Sequence, residues 1–218
     1  MRVARLTVAC CLLAAAVAGC GSAPVGDVRS TPQALKIKAL FADLDEIPRG
    51  FATRSRPGWE KPFEPVVQEC RRLFNLMAGR PAREGLTAAT TASYLGEGVG
   101  QTAAVSLALY DSREAAEQMD ELAKASRACT TARDQTPGEV NRLTVAPLAV
   151  SEQILEGGGV ARRLVGRVGG YPYEMHLVVS RQGGAVIGLV NTGMSGADAR
   201  TTEELARLVS RKVATLDL

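Results

Sequence analysis

The chain has 218 residues, a formal net charge of +3 and 46% hydrophobic residues, with aromatics at only 4%. That length builds one sizeable core and fits two domains poorly. The small charge excludes the electrostatic footprint of a nucleic-acid-binding protein.

The chain opens on a short positive stretch, Arg2 and Arg5, followed by an uncharged run from Val8 to Ala18. That run is long enough for a signal sequence and too short to span a bilayer. It ends in Val17-Ala18-Gly19-Cys20, which resembles the bacterial lipobox. The resemblance implies cleavage before Cys20, diacylglycerol on its thiol and acylation of the new amino terminus. Two or three acyl chains, at roughly 0.8 kcal/mol per buried methylene, give stable anchoring where one is marginal. The expected organisation is a signal peptide over 1–19, a flexible tether over 20–33 and a single domain over 34–218. The expected location is the extracytoplasmic face of the cell membrane, with the membrane itself a partner through Cys20. Arg2 and Arg5 leave with the signal, so 24 basic residues face 23 acidic ones in the mature chain.

Of the five cysteines, Cys10 and Cys11 leave with the signal and Cys20 takes lipid. Cys70 and Cys129 remain. In an oxidising compartment an even remainder of two reads as one disulfide, and two buried free thiols are the rival reading. A metal pair is disfavoured, because the single histidine, His176, has no companion ligands at a recognisable spacing. No metal site and no cofactor is expected.

Thr31-Pro32 reads as a capped helix start, with Leu35, Ile37, Leu40, Phe41 and Leu44 following at helical spacing up to Ile47-Pro48-Arg49-Gly50. Phe51 to Arg56 is a candidate short strand. Glu64-Pro65 opens a second helix, whose stripe Val66, Cys70, Leu73, Phe74 and Met77 faces inward. Gly79 to Gly85 is a loop. Ala88–Leu95 and Val99–Tyr110 read as strands joined at Gly96-Glu97-Gly98. Asp111-Ser112-Arg113-Glu114 caps a third helix with Ala115, Met119, Leu122, Ser126 and Cys129 on one stripe. Both cysteines thus lie on inward stripes of separate helices, which favours the bridge.

Pro137-Gly138 marks a turn. Strands follow at Val140–Val150, Gly159–Val168, Tyr171–Ser180 and Ala185–Thr192, the last three separated by Gly169-Gly170 and Gln182-Gly183-Gly184. Thr201-Thr202-Glu203-Glu204 is a second capping box, opening a helix with Leu205, Leu208, Val209, Val213 and Leu216 on one side. Consecutive hairpins exclude a doubly wound parallel sheet. The expectation is an α+β fold, an antiparallel sheet of about six strands with helices packed mainly on one face.

Tyr110 to Ala116, closing a strand and opening the helix that ends at Cys129, resembles the extracellular sensor-domain family of actinobacteria. That family includes the ectodomains of PknH-type receptor serine/threonine kinases and free lipoproteins. Ala161 to Ser180, Val186 to Val190 and the closing helix with Ala206, Val209 and Lys212 extend the resemblance across roughly Leu35 to Leu216. It implies an α+β domain with a cleft that binds an extracellular ligand without catalysis. The sequence has no kinase domain, and only the Cys70–Cys129 bridge carries over.

No catalytic residue is assigned. His176 reads as a half-exposed strand histidine, and Gly193-Met194-Ser195-Gly196 supplies a turn and no nucleophile elbow. Gly157-Gly158-Gly159 lacks the lysine and hydroxyl of a phosphate loop. Arg162, Arg163, Arg167 and Arg181 form either a basic patch on the outer face of the sheet or ordinary solvated arginines. Trp59, Phe63, Tyr94, Tyr171 and Tyr173 either line a cleft or serve the core. Two functions are weighed. One is a non-catalytic sensor-like domain for a small molecule, lipid or protein ligand. The other is an envelope lipid carrier holding an acyl chain between helices and sheet.

Overall fold

The computed structural model describes residues 31–134 and 141–216. Cys20, the tether up to residue 30, the Pro137-Gly138 turn and Val140 lie outside them. The elements run α1 (Pro32–Leu40), α2 (Gln68–Met77), β1 (Ala88–Leu95), β2 (Thr102–Leu109), α3 (Ser112–Ala128) and β3 (Thr131–Arg133). They continue with β4 (Arg142–Pro147), a single 3-10 turn (Glu152–Leu155), β5 (Val160–Val168), β6 (Tyr171–Gln182), β7 (Ala185–Gly193) and α4 (Ala199–Ala214).

All seven strands join one antiparallel sheet in the order β1-β2-β7-β6-β5-β4-β3. The seventh strand, against about six expected, is β3. It is three residues long and follows directly on Cys129, too short to show an alternation. The β5–β6 connection is Gly169-Gly170, with φ of 56° and 82°, the pair of positive values that a tight two-residue hairpin demands.

Helices cover both faces, and this corrects the expectation of one. Helices α2 and α3 pack with Leu73, Phe74, Met77, Met119 and Leu122 against Ala104, Met175, Leu177, Val179 and Val190. On the opposite face α1 and α4 bring Ala34, Ile37, Leu205, Leu208 and Val209 onto Val105, Leu107, Val178, Ile187 and Leu189. The central strand β7 is buried along its whole length, as a strand covered on both sides must be.

Helix limits move where tertiary bonds compete. Helix α1 stops at Leu40, because the chain beyond it pairs with the 51–56 segment through an Asp43–Arg54 bridge and Leu44 N–H to Thr53 O, 2.9 Å. Phe41 and Leu44 still reach the core, whereas Leu35 is 58% exposed. Helix α2 begins three residues after Pro65, since Val66 N–H donates to Arg133 O at 2.9 Å and holds that stretch extended. Helix α4 begins before the predicted box. Asp198 is its cap, accepting Thr201 N–H at 2.7 Å, which frees Thr202 to turn inward.

Candidate functional site

Helices α2 and α3 lie side by side on the sheet and are cross-linked twice. Cys70 of α2 and Cys129 at the end of α3 form a disulfide with Cα atoms 5.0 Å apart, and both are buried. At the surface Arg72 donates to Glu121 at 2.7 Å, and Lys124 donates to the other oxygen of Glu121 at 3.0 Å. These two hydrogen bonds hold the Glu121 carboxyl below its usual range.

Beside this strap, between the two helices and the 80–82 loop, opens a cleft of about 360 Å³. Its floor is Leu76, Leu122, Val186 and the ring of Tyr110. The Tyr110 hydroxyl donates to Ala82 O at 2.9 Å, which fixes the loop, and burial pushes this phenol well above its ordinary pKa. Polar groups line the mouth, and most are already engaged. Arg71 donates to the carbonyls of Pro65 (3.0 Å) and Val66 (2.8 Å), Asn75 accepts from Lys61 (2.8 Å), and Gln118 donates to Glu114 (2.8 Å). Among the described residues the Arg80 guanidinium and the Gln68 amide have no side-chain partner, and both are exposed. An apolar floor under one free cation and one free amide suits a small ligand with an apolar body and an anionic end.

Sequence reasoning did not single out these residues. Arg80 sits in the GRPAREG loop, where nothing in the spacing points to a site, and Gln68 was one polar residue among several on α2. The placement of α2 against α3 makes the cleft that both of them line.

His176 is not half-exposed as its alternating strand suggests. It is buried at 1%, because α4 covers β6 at this level. Its Nδ1 is 2.8 Å from Thr202 Oγ1 and its Nε2 is 2.9 Å from Glu174 Oε1. The carboxylate assigns the ring proton to Nε2, and the single Thr202 hydroxyl proton is shared between His176 Nδ1 and the carbonyl of Asp198, 2.9 Å away. Asn191 donates to the same hydroxyl at 3.0 Å, and Arg163 grips Glu174 with contacts of 2.6 and 3.2 Å. Burial pushes the imidazole below its usual pKa, with Glu174 opposing the shift in part. The Arg163 hydrogen bond holds the Glu174 carboxyl low against its own partial burial. Threonine, histidine and glutamate in a hydrogen-bonded line resemble a nucleophile with its base and acid. Thr202 is 0% exposed, however, so no substrate reaches it, and the group ties α4 to the sheet.

The four arginines do not share a face. Arg162 and Arg181 point to the α2/α3 side, where Arg162 donates to Ser126 O at 3.3 Å and Arg181 to Gly183 O at 3.0 Å. Arg163 and Arg167 point to the other side, one taken by Glu174 and the other donating to Gly170 O at 2.6 Å. Trp59, Phe63 and Tyr94 belong to the core, and the Tyr94 hydroxyl donates to Phe41 O at 2.6 Å. Tyr173 packs against the same core as Trp59, while Tyr171 is 65% exposed at a hairpin tip.

Neither a known protein family nor a curated protein matches the chain. Among solved structures it is similar to the extracellular domain of PknH from Mycobacterium tuberculosis. The two share 15% identity and a TM-score of 0.49 over 62% of this chain and 68% of that one. Among the described residues no helix is long and apolar enough to cross a membrane.

Proposed function

We propose that the protein is an extracytoplasmic lipoprotein, anchored through Cys20, whose single domain binds a small anionic amphiphile in the α2/α3 cleft without transforming it. The observation that carries the reading is the cleft itself, an apolar floor with the uncommitted Arg80 and Gln68 at its mouth. The lipobox-like Val17-Ala18-Gly19-Cys20 and the buried Cys70–Cys129 bridge support an exported, oxidising setting. An acyl carrier expects a large dry cavity between helices and sheet. This cleft opens to solvent and half its wall is polar, which favours a compact, partly polar ligand.

The test is native mass spectrometry of protein purified from its own envelope, followed by titration with dodecyl phosphate as a probe. A co-purifying small anion is expected, and Arg80→Ala weakens probe binding about tenfold, the usual size of a lost charge-assisted hydrogen bond. Probe affinity unchanged by Arg80→Ala, or an empty protein that ignores the probe, refutes the assignment.

A further inference from the structure

Among the described residues, the part of the sheet formed by β3, the start of β4 and the end of β5 has no helix on the side that α1 and α4 cover elsewhere, whereas Ala161 at the start of β5 is buried there. Register decides what it displays. Arg133 of β3 stands opposite Arg142 of β4, and Arg142 stands opposite Arg167 of β5. Directly opposed residues share a face, so three arginines form one row across three strands. At about 4.8 Å between strands the row spans roughly 10 Å. All three side chains are exposed. Among the described residues none has an acidic partner, and Arg167 makes its only bond to a backbone carbonyl.

The next row on the same face is Thr131, Thr144 and Val165, with Val165 40% exposed. One row further, Arg163 is already neutralised by Glu174. The free positive charge is therefore confined to the 133–142–167 row. Like charges placed directly opposite weaken a sheet. The row costs the isolated domain stability, and a bound polyanion removes that cost.

The surroundings select the kind of anion. Helix α4 stands on this same face over β6 and β7, and a helix layer is about 10 Å thick. The arginine row thus lies on a ledge at the foot of a wall. A planar surface approaching from that side meets the helices first. A flexible chain enters the ledge and runs across the strands.

We infer that the Arg133–Arg142–Arg167 row is a binding site for an extended phosphate-bearing polyanion, distinct from the α2/α3 cleft and on the opposite face of the sheet. Guanidinium groups spaced at strand intervals meet successive phosphates, each in the bidentate geometry that arginine favours.

The experiment measures binding of the full-length protein to linear polyphosphate by fluorescence anisotropy while sodium chloride is raised. Three arginines predict a slope of log K against log salt of about −2, from roughly 0.7 per neutralised phosphate on a single strand. Arg142→Gln is expected to lower that slope by about 0.7, and the triple variant Arg133→Gln/Arg142→Gln/Arg167→Gln to abolish binding. The triple variant keeps or raises its thermal midpoint, which separates lost binding from lost folding. It also leaves dodecyl phosphate binding intact, whereas Arg80→Ala leaves polyphosphate binding intact, so the two sites fail separately. Unchanged polyphosphate affinity in the folded triple variant overturns the inference. So does a wild-type protein that binds equimolar phosphatidylglycerol–phosphatidylcholine vesicles and not polyphosphate.

Discussion

Replacing Cys70 and Cys129 together by alanine removes the cross-link that joins α2 to α3. The bridge spans a sequence separation of 59 residues. In the chain-entropy treatment a loop of that size stabilises the fold by about 4 kcal/mol. The other link between these helices is the exposed Arg72–Glu121 pair, which solvent screens and which is too weak to substitute. For a domain of this size each kcal/mol moves the thermal midpoint by about 2–4 °C, so the double variant melts about 8–16 °C lower. Both sulfurs are buried, so lost packing adds to the drop. Differential scanning calorimetry of wild type and variant reads the shift directly. Alkylation and mass spectrometry of the wild type, purified without reductant, check the bond. A variant melting within about 2 °C of wild type, or two alkylatable thiols in the exported protein, refutes the reasoning.

The buried His176 group makes stability depend on pH. Its folded pKa lies below the usual 6.5, so the unfolded chain binds the proton more readily. Its contribution is complete above that value and is lost as pH falls toward the folded pKa, while Glu174, held below 4.5, adds a second loss in stronger acid. The thermal midpoint is expected to be flat near neutrality and to fall through mild acid. His176→Gln flattens the first segment only, and a variant that titrates like wild type there would count against the network. Gly166→Ala is expected to cost at least about 2 kcal/mol in chemical denaturation. A Cβ there meets Arg142 O at 1.9 Å and Leu143 Cα at 3.1 Å, and backbone atoms cannot step aside as a side chain would. Hydrogen exchange should speed up along β4 and β5 in that variant. Unchanged exchange contradicts the close approach.

What is local in the chain was legible from its residues. Asp111 caps α3 as its spacing with Glu114 indicates, and the stripe Ala115, Met119, Leu122, Ser126 and Cys129 is buried, because amphipathic periodicity needs only one helix to express itself. Glycines placed the β5–β6–β7 hairpins because Gly169, Gly170 and Gly183 take positive φ, a backbone few other residues adopt. Three features needed the tertiary structure. Burial of His176 depends on α4 returning over β6, and an alternating strand cannot say what lies above it. The free Arg80 and Gln68 face one cleft only through the packing of α2 on α3. The arginine row exists only through register, since Arg133, Arg142 and Arg167 are far apart in sequence and a one-residue slip would turn any of them to the other face. Periodicity reports which side of an element is apolar. Which elements meet, and in what register, is decided by the sum of all their contacts at once.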